Sequence, residues 1–210
     1  MQLLTWQKTL KNINSLIVQA SSKDADDAWQ PFPIGMSWQY ALEQRGEAEQ
    51  IGSHENLVLC AVNTGTDQRR RPIGINRASI VRTLANAGIP NCSMHHDIYY
   101  KALPSYKFIV SPEGNGIDCH RHYESLLAGC FPIIEKNPLT EAKYKGCPVL
   151  WTVDYSEIHR QYLERIYQDM VYREYDFSPL FLSHYSDQET IQDCGNYWTQ
   201  RMCGVKWYKD

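Results

Sequence analysis

Two glycines, an arginine and a glutamate between positions 114 and 124 are the residues of this chain best suited to hold a phosphorylated ligand. Gly114 and Gly116 permit a positive φ and carry no Cβ, so a ligand can approach the main chain closely. Arg121 presents a planar guanidinium that can pair with a phosphate. Glu124 can accept two hydrogen bonds from a ribose diol, as acidic residues do in other nucleotide sites. Together these residue types suit a nucleotide.

A helix is predicted from Asp118, its N-cap, to about Ala128. At about 100° per residue, His120, Arg121 and Glu124 fall on one arc and are expected to line a crevice together. The free N–H groups of the first turn would point at the glycine turn, where they can bind phosphate. The neighbouring arc, which is expected to face the core, comprises Cys119, Tyr123, Leu126 and Leu127.

A plainer interpretation of the same residues stays open. A Gly-x-Gly turn marks many junctions between a strand and a helix, with or without a ligand. Arg121 and Glu124 lie three residues apart, a spacing that also suits a surface ion pair. Pattern alone does not separate the two interpretations.

Alternating strands and helices predict the fold that positions these side chains. Their spacing implies right-handed βαβ units and a mostly parallel sheet with flanking helices, an α/β, Rossmann-like fold. Ligands of such sheets collect beyond the carboxyl ends of the strands, where the glycine turn lies. The predicted strands are 57–62, 107–110, 131–134 and 148–153; the predicted helices are 76–87, capped by Asn76 and ended by Gly88, 118–128, ended by Gly129, and 155–172, with a short helix or turn over 98–105.

Composition argues against several functional classes. A net charge of −3 gives no sign of a nucleic-acid surface, and no apolar run approaches the roughly 20 residues of a transmembrane helix. The seven cysteines form no C-x-x-C pair, so no zinc site or disulfide framework is expected and a cytoplasmic location fits best. One basic run, Arg69–Arg71, is either a solvated loop or an anion-binding loop.

The stretch from Tyr106 to Ile134 resembles the exostosin-like glycosyltransferases. The matching parts are Tyr106–Arg121, with its Ser-Pro-Glu-Gly-Asn-Gly-Ile-Asp string, then Glu124, then Ala128–Ile134. Tyr123 stands where the family usually has tryptophan, and Ser125 where it has alanine. Weaker similarity extends the match to about residues 30–170 and covers Pro31–Gly35, Leu57–Asn63, Arg77 and Pro148–Ile158.

The resemblance implies the C-terminal, donor-binding half of a GT-B glycosyltransferase and a nucleotide-sugar donor, which is expected to carry UDP. By position, Glu124 would bind the ribose, Arg121 the diphosphate, and the Gly-Asn-Gly main chain the sugar phosphate. Neither a metal nor another cofactor is expected: the Asp24-Ala-Asp26 string is interpreted as a loop. The expected donor-binding residues are Arg77, Gly114, Asn115, Gly116, Asp118, Arg121 and Glu124.

The chain departs from the family in its short front end. We divide it into an abbreviated N-terminal segment (1–50, with a helix, a short strand and a Pro-rich turn), a nucleotide-sugar-binding domain (51–175) and a C-terminal helical tail (176–210). The resemblance leads us to expect no complete acceptor domain in so short a front end, so a partner chain or a second copy would complete the acceptor side. The catalytic base is therefore unassigned; candidates by residue type alone are Asp24, Asp26, His54, His95 and His96.

Three functional hypotheses follow. The first is a glycosyltransferase that moves a sugar to a glycan, lipid-linked or other hydroxyl acceptor. The second is a remnant of a donor domain that binds nucleotide or glycan without catalysis. The third is an unrelated α/β domain that binds a ligand or serves only as structure. The stereochemical outcome, the sugar and the acceptor stay open.

Overall fold

The computed structural model describes residues 34–43, 54–181 and 184. Within them, four strands form one all-parallel sheet in the order β1-β2-β3-β4, each strand hydrogen-bonded to the next. This confirms the predicted α/β, Rossmann-like arrangement of a parallel sheet with flanking helices. The strands are β1 (Asn56–Leu59), β2 (Tyr106–Val110), β3 (Phe131–Glu135) and β4 (Leu150–Thr152).

Six α-helices connect and flank the strands in the described part of the chain. Two short 3₁₀ helices, Leu103–Ser105 and Ser178–Leu180, add single turns. The α-helices are α1 (Trp38–Glu43), α2 (Arg77–Asn86), α3 (His96–Ala102), α4 (His120–Leu127), α5 (Pro138–Lys143) and α6 (Arg160–Val171).

The centre of the sheet is buried because its strands are apolar along their length. All five residues of β3 are buried, as are the last three of β2, which is typical of parallel strands covered on both faces. Phe108 and Phe131 are register partners, and their ring centroids lie 5.6 Å apart. Tyr167 of α6 contacts both rings, at 6.0 and 5.8 Å. The helix predicted after β4 therefore packs back onto the sheet.

Local sequence signals set the ends of α2 and α4. Asn76 caps α2 through a capping box, in which its side chain accepts a hydrogen bond from the Ser79 N–H and the Ser79 hydroxyl accepts one from the Asn76 N–H. Gly88 and Gly129 each have a φ of 77°. That left-handed conformation ends both helices as predicted and favours glycine over residues with a Cβ.

The start of α4 differs from the prediction. Cys119, not Asp118, is the N-cap residue, and no side chain caps the helix. The Asp118 carboxylate is buried and instead accepts hydrogen bonds from the Ile34 N–H (2.9 Å), Lys143 Nζ (3.2 Å) and the Tyr144 hydroxyl (2.8 Å). A buried carboxylate needs such donors, so it serves as a tertiary anchor.

Several predicted boundaries are wrong by a few residues. The strand predicted over 57–62 ends at Leu59, and the strand predicted over 148–153 covers Leu150–Thr152. The helix predicted from 155 begins at Arg160, because Tyr155 has a φ of 64°, which lies outside the α-helical region.

Some predicted segments cannot be compared with the structure. Residues 1–33 and 44–50 of the predicted N-terminal segment and residues 185–210 of the predicted helical tail lie outside the described residues, whereas α1 lies within the predicted N-terminal segment. The division of the chain into three parts stays a prediction. Across the described ranges, no helix is long and apolar enough to cross a membrane.

Candidate functional site

A cleft of about 320 Å³ lies next to the segments that follow the carboxyl ends of β1 and β2. This is where open α/β sheets gather their ligands. The first turns of α4 provide one group of lining residues and α3 provides another. Lining residues include Cys119, His120, Arg121 and Glu124 at α4, His96, Tyr99 and Tyr100 on α3, and Ser37, Ala61, Arg77 and Met94.

The helical phase predicted for α4 is largely confirmed. His120, Arg121 and Glu124 all line the cleft, while Tyr123 and Leu126 are fully buried in the core. Cys119 is the exception, because it lines the cleft although the helical arc placed it toward the core. It precedes the helix in an extended conformation, with a φ of −148°, so helical periodicity does not apply to it.

Arg121 is held firmly but keeps donors available. Its Nε donates to the Tyr99 hydroxyl at 3.1 Å, and its Nη2 donates to the Ala61 carbonyl at 2.8 Å. No described residue accepts a hydrogen bond from Nη1, and Arg121 forms no ion pair with Glu124. Burial alone would lower the pKa of Arg121, but Tyr99 and Cys119 raise it above its ordinary value. The guanidinium is therefore held in place and stays charged, with donors that are able to bind an anion.

Glu124 brings a buried carboxylate to the same cleft. Glu124 is only 4% exposed, and its Oε1 accepts a hydrogen bond from the Ser37 N–H at 3.2 Å. The Ser37 hydroxyl in turn lies 2.8 Å from the Tyr100 hydroxyl. No described residue donates a hydrogen bond to Oε2. Glu124 can therefore accept further hydrogen bonds from a ligand.

Arg77 lines the cleft, but most of its N–H groups donate hydrogen bonds to other residues of the protein. Nε donates to the Glu113 carbonyl at 2.7 Å and Nη2 to the Pro112 carbonyl at 3.0 Å. Nη1 donates to the Asn63 carbonyl and to the Thr66 hydroxyl. Burial lowers the pKa of Arg77, although an arginine stays protonated. Its first role is to bind the loop after β1 to the loop after β2.

The glycine turn serves this arginine more directly than it serves a ligand. Gly114 and Gly116 permit a positive φ, but neither adopts one. A Cβ on Gly114 would lie 3.0 Å from Arg77 Nη2, so the missing side chain makes room for the guanidinium. The Gly114 N–H donates to the Gly116 carbonyl at 2.9 Å. Asn115 and Gly116 are exposed at the tip of the turn and are not among the residues that line the cleft.

The basic run after β1 pairs with carboxylates of the protein itself. Arg70 Nη2 lies 2.6 Å from Glu113 Oε2, and Arg71 Nη1 lies 2.8 Å from Glu135 Oε1. Arg71 Nη2 also lies 2.9 Å from Asp67 Oδ2. Both alternatives for this run, a solvated loop and an anion-binding loop, miss these internal ion pairs. The sequence gives no sign of the pairs with Glu113 and Glu135, because those carboxylates are far from the run in the chain, whereas Asp67 lies only four residues before Arg71.

The candidate bases separate by position. His96 lines the cleft, whereas His95 is exposed and hydrogen-bonded to Asp97. His54 is buried and does not line the cleft; its Nδ1 lies 3.4 Å from the Tyr167 hydroxyl. Burial lowers the pKa of His54. Asp24 and Asp26 lie outside the described residues.

The sequence interpretation missed a thiol–imidazole pair at the start of α4. His122 Nδ1 lies 2.7 Å from the Ser111 hydroxyl and 3.4 Å from Cys119 Sγ. Burial alone would raise the pKa of the Cys119 thiol, but His122 and the nearby Arg77 and Arg121 lower it. The same contact raises the pKa of His122. The i, i+3 spacing of the cysteine and histidine was the available signal.

A second missed feature is the way the segment 34–37 packs against the start of α4. The Gly35 carbonyl lies 2.8 Å from His120 Nδ1. Along the chain this contact stands between two others, the hydrogen bond from the Ile34 N–H to Asp118 and the one from the Ser37 N–H to Glu124. The sequence marks a turn over Pro31–Gly35 but does not predict the residues of α4 that its end contacts. The Tyr99–Tyr100 pair on the predicted short helix was a further available signal for this side of the cleft.

No protein-family model matches the chain, and no curated protein matches it significantly. Nor does the described part of the chain contain a cluster of three or more side chains that could hold a metal ion. The five described cysteines are all free thiols. Among the described residues, the cleft is therefore the feature that bears on function.

Proposed function

We propose that this chain is a glycosyltransferase whose cleft binds a nucleotide-sugar donor, specifically a UDP-sugar. One observation carries the proposal: Arg121 and Glu124 line the same cleft, each with a polar atom that no described residue engages. A fixed cation and an available carboxylate match the diphosphate and the ribose of such a donor. The resemblance of the Tyr106–Ile134 stretch to exostosin-like, GT-B enzymes supports the same assignment.

The diphosphate would lie between Arg121 and the first turn of α4. Arg121 can donate from Nη1, and the turn adds N–H groups at the positive end of the helix dipole. Because Tyr99 and Ala61 already fix the guanidinium, little side-chain entropy is lost on binding. The same groups would stabilise the negative charge that develops on the departing UDP during transfer.

The ribose would lie against Glu124. Oε2 can accept a hydrogen bond from a sugar hydroxyl while Oε1 stays bonded to the Ser37 N–H. The acceptor, a glycan, a lipid-linked glycan or another hydroxyl compound, would come from the open side of the cleft. A partner chain or a second copy would supply the rest of the acceptor site. The free thiols suit a cytoplasmic enzyme.

A second candidate is a nucleotide-binding module without catalysis. Two expected donor-binding residues, Arg77 and Asp118, direct most of their hydrogen bonds to the protein itself. A site reduced to Arg121 and Glu124 is enough to bind a nucleotide. This observation favours binding over transfer but leaves the ligand unchanged.

Two measurements separate these candidates. Calorimetry with UDP tests binding, and a coupled assay for UDP released from UDP-glucose, UDP-galactose and UDP-N-acetylglucosamine tests transfer to water or to an added acceptor. Binding together with release supports the glycosyltransferase. Binding without release from any donor supports the module. Absence of binding contradicts both.

A further inference from the structure

His120 is oriented in a way that the proposed donor site does not require. It is the first residue of α4, and its Nδ1 lies 2.8 Å from the Gly35 carbonyl oxygen. A carbonyl can only accept, so Nδ1 carries the hydrogen and donates it. In the neutral ring the lone pair is then on Nε2. The contact with Gly35 therefore fixes both the ring and its tautomer.

The Gly35 carbonyl is itself fixed. Gly35 is buried with a φ of 75°, and hydrogen bonds hold the main chain before and after it: the Ile34 N–H donates to Asp118, and the Ser37 N–H, two residues after Gly35, donates to Glu124. A base held by an acceptor behind it is the arrangement that positions catalytic histidines in general. Here the acceptor is a main-chain oxygen.

His120 Nε2 is the ring nitrogen left for a ligand. His120 is partly exposed and lines the cleft beside Arg121, and no described residue hydrogen-bonds Nε2. The other histidines nearby differ. His122 is fully buried between Ser111 and Cys119. His96 lines the cleft, but none of its ring nitrogens is held by a described acceptor.

We infer that His120 is the general base of the transfer reaction, an assignment that rests on the proposed function. The acceptor hydroxyl oxygen attacks the anomeric carbon of the donor as its proton passes to Nε2. The bond between the anomeric carbon and the phosphate oxygen breaks, and its electron pair leaves with UDP. Arg121, next in the chain, stabilises that leaving group. A single displacement of this kind inverts the anomeric centre.

The variant His120→Asn separates positioning from proton transfer. The asparagine amide can still donate to the Gly35 carbonyl but has no basic nitrogen, so the fold and the donor site are expected to persist. We expect UDP affinity within about threefold of the parent, and turnover of UDP-glucose reduced about 10²- to 10⁴-fold, the usual contribution of a general base. Melting temperature reports whether the variant is folded.

Azide provides the decisive readout. It is an anion at neutral pH and attacks without losing a proton, so it should restore turnover of His120→Asn with inverted glycosyl azide as the product. Full turnover in His120→Asn, a loss that azide does not rescue, or retention at the anomeric carbon would overturn the assignment. Loss in His96→Asn with none in His120→Asn would move the base to His96. A parent protein that binds UDP but turns over no donor, even with azide, contradicts the transferase proposal itself.

Discussion

Replacement of Arg121 by alanine tests how the cleft binds an anion. The substitution removes the only guanidinium in the cleft with Nη1 donors that no described residue engages, but leaves Glu124 in place. UDP carries the diphosphate and uridine does not. We therefore expect the variant to lose affinity for UDP and to keep nearly all of its affinity for uridine.

The expected loss follows from the hydrogen bonds at stake. One hydrogen bond to a charged group contributes about 1.5–3 kcal/mol, and each 1.4 kcal/mol is about tenfold in affinity. UDP should therefore bind roughly 10- to 150-fold more weakly. Uridine should change by less than about threefold. Titration calorimetry of both ligands against the parent and the variant gives the two ratios directly.

The same substitution also affects stability, which has to be measured separately. The Tyr99 hydroxyl and the Ala61 carbonyl lose their donor, at a cost of about 1–3 kcal/mol if water does not replace it. Arg82→Ala is the matched control, because it removes the same charge from an exposed position on α2 outside the cleft. Equal losses of UDP and uridine affinity in Arg121→Ala, or an equal UDP loss in Arg82→Ala, would refute the phosphate assignment.

Three further predictions address the ribose, the thiol and a turn. Glu124→Ala should lower the affinity for UDP, and in calorimetry the variant should bind UDP and 2′-deoxy-UDP with nearly equal affinity. Unchanged UDP affinity would reject the ribose contact. Among the cysteines of the described residues, Cys119 should react fastest with iodoacetamide at pH 7.5, because the pKa of its thiol is lowered. Saturating UDP should slow that reaction at least fivefold, as measured by peptide mass spectrometry. Gly146→Ala should lower the melting temperature more than Gly88→Ala, because both glycines have a positive φ (87° and 77°) but only at Gly146 would a Cβ meet an atom, Asp176 Cβ at 2.9 Å; equal shifts would contradict the packing argument.

The parts of the fold that the sequence predicts are those set by local chemistry. Continuous apolar runs gave β2 and β3, and Asn76, Gly88 and Gly129 marked helix ends through hydrogen bonds made within a few residues. Helical periodicity also placed Arg121 in the cleft. These features depend on neighbours in the chain, which a sequence displays directly.

The parts that the sequence does not predict depend on distant partners. Asp118 looks like an N-cap, but Lys143 and Tyr144, on and just after α5, bind its carboxylate. Gly114 looks like a ligand-facing glycine, but Arg77 occupies the space beside it. In both cases a residue type fits two roles, and only the packing of a remote element decides between them.

The orientation of His120 has the same origin. Its acceptor, the Gly35 carbonyl, is separated from it by 85 positions. Every residue has a main-chain oxygen, so residue type does not reveal which one will accept a hydrogen bond. For the same reason His120 was not among the candidate bases, although the helical arc predicted that it lines the crevice together with Arg121 and Glu124.

Thermal-shift measurements of the full chain with UDP, GDP and CMP test the central claim most directly. A ligand at 100 times its dissociation constant stabilises the native state by about 2.7 kcal/mol, which corresponds to a rise of roughly 5–10 °C for a chain of this size. We predict such a rise with UDP and a smaller one with GDP or CMP. No shift with any of the three nucleotides would contradict a nucleotide site in this cleft.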